Sequence, residues 1–205
     1  MWRMGKSPNH RSCDSITPKT PIAAVSEVDR PGGPARMLVI GIDPGTATTG
    51  FGLIRQPESG ELELVDFGVV ETPADAPMPD RLMQLHAALI DLLNLHRPDT
   101  GAVEKLFFQR NVTTAISVGQ ARGVALLALA QAGVPVGEYS PREVKKAVAS
   151  SGDADKRQMQ EMVRILLGMQ EIPHPDDAAD ALAVAICHVH SQGISRRLSA
   201  MGGGT

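Results

Sequence analysis

Leu38 to Ile42 is an unbroken apolar run that stops at Asp43, Pro44 and Gly45. A run this short, bounded by turn residues, reads as a buried strand. Its carboxyl end places an aspartate ahead of a tight glycine turn, which is where α/β sheets position ligand-handling groups. An aspartate that merely caps the turn would look the same, so this segment alone leaves both readings open.

The rest of the pattern is built around that strand. Gly45 and Thr46 turn the chain into a second strand, Gly50 to Arg55. Glu58, Ser59 and Gly60 then join it to a third, Leu62 to Val70, as a hairpin. Pro73, Pro77 and Pro79 interrupt the pattern. Leu82, Leu85, Leu89, Leu92 and Leu93 predict an amphipathic helix over 80–96, closed by Pro98. Gly101 to Glu104 reads as a fourth strand, Val112 to Ala132 as a helix stopped by Gly133, and Val134 to Tyr139 as a fifth strand. Ser140-Pro141-Arg142-Glu143 has the form of a capping box. Helices near 142–149, 155–167 and 177–191 complete the set. Three strands, then alternating helices and strands, describe an α/β domain with a mixed sheet.

A chain of 205 residues suffices for one domain with a sizeable core. Residues 1–36 are rich in Pro, Ser, Thr, Arg and Lys and lack apolar periodicity, so they are expected to be a disordered extension. The folded domain is expected over 37–192, with a flexible tail over 193–205. No apolar run approaches the roughly 18 residues of a membrane span, and none follows the basic start as a secretory leader requires. Cys13 and Cys187 lie in unlike contexts, which implies no disulfide framework and points to the reducing cytoplasm. The formal net charge of −3 does not decide for or against nucleic acid. Duplex binding asks for a basic footprint, but carboxylates gathered to hold cations lower the net charge while the cations restore local positive potential.

Three segments carry candidate carboxylates: Asp43 at one strand end, Glu104 at another, and the run from His174 to Leu182. In that run Asp177 and Asp180 are three residues apart at a helix start and share a face. Capping and the helix dipole account for Asp176 and partly for Asp177, but not for Asp180, which sits among Ala and Leu. Together the set is oxygen-rich and suits hard cations such as Mg²⁺ or Mn²⁺. Two such ions about 3.5–4 Å apart serve in-line phosphoryl transfer in known two-metal sites. No His or Cys spacing suggests zinc.

Ile40-Gly41-Ile42-Asp43-Pro44-Gly45, Val103-Glu104, Gly119-Gln120-Ala121-Arg122-Gly123 and Asp177-Ala178-Ala179-Asp180-Ala181-Leu182-Ala183 resemble, in order and spacing, the RuvC family of Holliday-junction resolvases. The likeness runs from about Met37 to about His190, and the last segment is its specific part. It implies a ribonuclease-H-like fold, a five-stranded mixed sheet flanked by helices. It also implies a crossover junction endonuclease whose catalytic, metal-holding carboxylates are Asp43, Glu104, Asp177 and Asp180, with two Mg²⁺ or Mn²⁺ ions per site. Further implications are a four-way DNA junction as substrate, a homodimer that cuts opposed strands, and a link to the RuvA–RuvB branch-migration machinery. The predicted helices over 80–96 and 112–132 are candidate dimer surfaces. The Gly41 to Gly50 segment also resembles the phosphate loop of actin-like ATPases, but no second glycine-rich loop follows. Two further alternatives are a non-catalytic junction-binding protein, against which the intact carboxylates argue, and a short RuvC-like RNA-processing nuclease, against which the longer chain and the Asp-Ala-Ala-Asp-Ala-Leu ending argue.

Phe107, Phe108, Gln109, Arg110 and Asn111 follow Glu104 and hold half of the four Phe residues. Phe107 is read as stacking on an unpaired base, with Arg110 and Asn111 beside it, and Phe108 as a core anchor. Lys145, Lys156 and Arg157, with Arg142 and Lys146, are candidate phosphate contacts, and Lys145 and Lys156 match basic positions of the family. Lys105 stands where the family more often has Gln. Arg122 is open between DNA contact and structural ion pair. His86, His96, His174, His188 and His190 are expected at the surface or at helix ends, and Cys187 as a small core residue.

Overall fold

The structure is a computed structural model that describes residues 37–57, 60–105 and 112–202. The expected N-terminal extension, 1–36, lies outside the described residues.

Strand β1 (Met37–Asp43) pairs antiparallel with β2 (Thr48–Gln56), and β2 pairs antiparallel with β3 (Glu63–Glu71). Helix α1 (Met78–His96) then leads to β4 (Thr100–Glu104), which lies parallel to β1. Helix α2 (Val112–Gln131) leads to β5 (Val136–Tyr139), parallel to β4. Among the described residues the sheet has five strands in the order β3-β2-β1-β4-β5. Helices α3 (Pro141–Ala149), α4 (Lys156–Leu166) and α5 (Asp176–Gly202) follow. The mixed five-stranded sheet with flanking helices is the expected architecture. β1 is central because every residue from Leu38 to Ile42 is buried, one set of side chains on each face.

The pleat sorts those side chains into two cores. Leu38, Ile40, Ile42 and Val103 pack against α1 and α2 through Leu85, Leu89, Leu93, Ala121, Ala125 and Leu129. Val39 and Ala102 pack on the opposite face against α5, with α3 and α4 beyond it. α5 crosses β1 and β2 at close range because Gly41 and Gly50 carry no side chain. A Cβ at Gly41 would collide with the Ala181 carbonyl, and one at Gly50 with the Asp177 carbonyl.

Local signals set most boundaries. Ser140 and Glu143 form the expected capping box on α3, and Asp155 with Gln158 forms a second on α4. β5 starts later than the apolar run suggested because Pro135, which has no N–H, stands at its entrance and offers its carbonyl to Gly101 instead. α5 does not stop near 191: its backbone stays helical to Gly202, through most of the segment read as a flexible tail. The glycine at 193 does not end it, since a single glycine costs a helix only about 1 kcal/mol.

Candidate active site

Asp43 and Glu104 end two adjacent parallel strands at the same edge of the sheet. The pleat then decides where they point. Val39 and Gly41 face α5, so Asp43 does too. Ala102 faces α5, so Glu104 does too. The first turns of α5 lie over this edge with Asp177 and Asp180, brought there by the contact of Gly50 with the Asp177 main chain, and Gly50 is the partner of Asp43 across β1 and β2. The turn after Asp43 is closed by Thr49, whose hydroxyl donates to the Gly45 carbonyl at 2.6 Å and accepts from the Gly45 N–H at 3.3 Å.

Each carboxylate feels the others. Burial, then the negative charge of Glu104, Asp180 and Asp177, pushes the Asp43 carboxyl up to about 8, against a smaller opposing pull from Lys156. Burial, with Asp180 beside it, raises Glu104 to about 7. Burial raises Asp180 as well, in spite of Lys156. At neutral pH the metal-free site therefore holds protons on groups that would ordinarily have lost them. A cation in place of those protons would relieve both the burial cost and the repulsion, and the donors are all oxygen, as Mg²⁺ or Mn²⁺ prefers. The residues fit the ions that the sequence implied. Among the described residues, however, no three His, Cys, Asp or Glu side chains stand close enough as placed to hold a common ion. Lys156 is paired with one of the four carboxylates, Asp180, and with the neighbouring Asp176.

Lys156, expected as a phosphate contact, starts α4 and lies 2.8 Å from Asp176 and 3.7 Å from Asp180. Its hydrogen bond to Asp176 raises the lysine and lowers the aspartate, and Gln160 donates to the same carboxylate at 2.8 Å. No sequence signal announces this partnership, since Lys156 and Asp176 are far apart in the chain. Arg157 is exposed and Lys145 half-buried on neighbouring helices. Phe107, Arg110 and Asn111, with Phe108 and Gln109, lie outside the described residues. Arg122 resolves to an ion pair, with Glu138 of β5, and its Nε donates to the Glu104 carbonyl at 3.2 Å.

Two further expectations meet the structure here. Cys187 is a buried core residue, and burial pushes its thiol up to about 11. His188 is not at the surface: it is 3% exposed, with Thr100 Oγ1 2.9 Å from Nε2 and the Tyr139 hydroxyl 2.9 Å from Nδ1. Half of α5 is apolar all round, so its sequence offers no polar face by which to place a histidine.

The family model described as crossover junction endodeoxyribonuclease RuvC matches residues 39–188. The chain belongs to the RuvC family. RuvC from Chloroflexus aurantiacus is 61% identical over 155 residues, 76% of this chain and 94% of that protein. The structure of Thermus thermophilus RuvC in complex with a Holliday junction substrate is similar at 39% identity and a TM-score of 0.74, covering 78% of this chain and 96% of that one. The yeast mitochondrial resolvase Ydc2, at 14% identity and a TM-score of 0.60, covers 78% of this chain and 81% of its own and shares the fold. Membership of the RuvC family makes the chain an endodeoxyribonuclease, implies dependence on a divalent metal, and disfavours the actin-like reading. Among the described residues, no helix is long and apolar enough to cross a membrane.

Proposed function

We propose that this protein resolves four-way DNA junctions by hydrolysing phosphodiesters in opposed strands. The observation that carries the reading is the meeting of Asp43, Glu104, Asp177 and Asp180 at one sheet edge, where burial first and then the negative charge of the other three raises the proton affinity of Asp43. These four would hold Mg²⁺ or Mn²⁺, two ions per site. Ions bound there supply charge stabilisation at the attacking and departing oxygens of an in-line displacement. The relative solved with a Holliday junction supports the choice of substrate.

The chain's own residues divide the remaining work. Lys156 stands at the rim of the acidic set and is exposed enough to donate to an arriving phosphate. Lys145 and Arg157 extend the basic margin, and Phe107, Arg110 and Asn111 are assigned to the distorted bases at the crossover. A homodimer supplies two sites. The helix α2 supports this, because Ile116 and Leu127 are 59% and 52% exposed and Gln120, Gly123 and Ala130 continue the stripe between and beyond them. Steps of four and three residues keep that stripe on one face, as a helix packed on its copy requires. Cooperation with RuvA–RuvB in the cytoplasm completes the proposal.

A gel assay tests it. A synthetic junction and a plain duplex are incubated with the protein in Mg²⁺ or in EDTA. Paired cuts in the junction alone, only with Mg²⁺, are the expected result, and Asp43→Asn should slow them by about 10³-fold. Near wild-type cleavage by that variant would refute the mechanism.

A further inference from the structure

We propose that Arg122 is a positioning residue for Glu104, acting from the opposite side of the sheet; the inference rests on the reading of Glu104 as a metal-holding carboxylate. Glu104 is the last residue of β4, and because Ala102, two residues before it, packs against α5, the pleat turns its side chain the same way. Its main chain is gripped from the other face. Arg122 rises from α2, between the fully buried Ala121 and Ala125, and donates from Nε to the Glu104 carbonyl at 3.2 Å. The same guanidinium pairs through Nη2 with Glu138 on β5, its side chain only 20% exposed.

The register explains why a side chain is needed. The N–H groups of Gly101 and Lys105 donate to Pro135 and Tyr139 on the β5 side. Alternation therefore turns the Glu104 carbonyl toward β1. The parallel pairing of Gly41 with Ala102 and Ile42 with Val103, extended by one residue, sets Asp43 opposite Glu104 and makes residue 44 the next donor. Residue 44 is Pro44, which has no N–H. The proline that turns the chain after one carboxylate thus leaves the backbone of the next without its ladder partner, and Arg122 fills the place. Glu138 fixes the guanidinium in turn, so the last residue of β4 is held between α2 and β5. A carboxylate meant to hold a cation gains from a fixed stem, because each rotation left free must be frozen on binding.

Arg122→Met keeps the packing of the stem and removes the donor. It is compared with wild type and with Glu138→Gln, which removes the pair partner but leaves the Nε bond. In metal-free protein without DNA, amide hydrogen exchange at Lys105 should speed up at least tenfold in Arg122→Met, with the amides of β1 unchanged. Calorimetry should show Mn²⁺ affinity weakened about fivefold. Junction cleavage at saturating DNA should fall at least tenfold while junction affinity stays within twofold, and Glu138→Gln should show smaller changes in the same direction. Where Arg122→Met does not fold, Arg122→Leu likewise removes the donor while leaving an apolar stem, and the same readouts apply. Unchanged exchange at Lys105, or a cleavage loss matched only by a loss of folded protein, would overturn the proposal. Failure of the wild type to cut junctions would instead refute the reading of the active site, since the exchange measurement judges the Arg122 contact without metal or DNA.

Discussion

Burial and neighbouring charge give Asp43 a proton at pH values where an unfolded aspartate has none, and this ties the stability of the metal-free protein to pH. Between the ordinary value of 3.8 and about 8 the folded state binds more protons than the unfolded state. Stability contributed by that proton is fully present below 3.8 and is lost as pH rises through about 8. Glu104 adds a smaller contribution of the same sign, lost through about 7. The EDTA-treated protein should therefore unfold at lower denaturant at pH 8.5 than at pH 5.5. Asp43→Asn should remove much of that dependence and stabilise the metal-free protein at pH 8.5 by about 1–3 kcal/mol while slowing cleavage by about 10³-fold. Metal should reverse the trend: its binding must displace protons, so calorimetry near pH 7 in buffers of different ionisation enthalpy should register proton release, and Mn²⁺ affinity should rise from pH 6 to pH 9.

Helix α5 presses against β1 and β2 so closely that glycine is the residue those strands can offer. Gly50→Ala would drive a methyl group into the Asp177 carbonyl, where backbone rather than a flexible side chain must yield. It should cost about 3 kcal/mol, read as a lower chemical-denaturation midpoint, and lower cleavage further by displacing the turn that carries Asp177 and Asp180. Such contacts also mark what is legible in the sequence and what is hidden. The run from Leu38 to Ile42, the leucine spacing of α1 and the capping box at Ser140 are local codes, and each locates its element within a few residues. The carboxylates are legible through their places at strand and helix ends and through family resemblance. Arg122 with Glu138, Lys156 with Asp176, and His188 with Tyr139 join residues distant in the chain, and no local periodicity encodes them. The far end of α5 escapes local reading because serine, glycine and arginine there carry mixed helix preference, which continuation from a buried helix overrides.

At the scale of the molecule, the two faces of the sheet have separate tasks. One carries the acidic set under α5, and the other carries α1 and α2, with the stripe through Ile116, Gln120, Gly123 and Leu127. Leu127→Glu places a charge within that stripe, on the face of the sheet away from the carboxylates. Sedimentation should show a dimer for the wild type and a monomer for the variant. The variant should keep its fold and its Mn²⁺ affinity, and its cuts in a junction should become single, uncoordinated nicks. A monomeric wild type that still makes paired cuts would show that the stripe has some other use.

The order in which the acidic residues leave the ribosome has a consequence of its own. Asp43 and Glu104 are synthesised early, but the turn bearing Asp177 and Asp180 opens α5, the helix whose buried residues fill one side of the sheet. A truncated or half-finished polypeptide therefore carries two of the acids without the rest, and without the helix that would bring the others to them. With the proposed active site, cutting power would arrive only with the completed core, so abortive translation products should leave the chromosome intact.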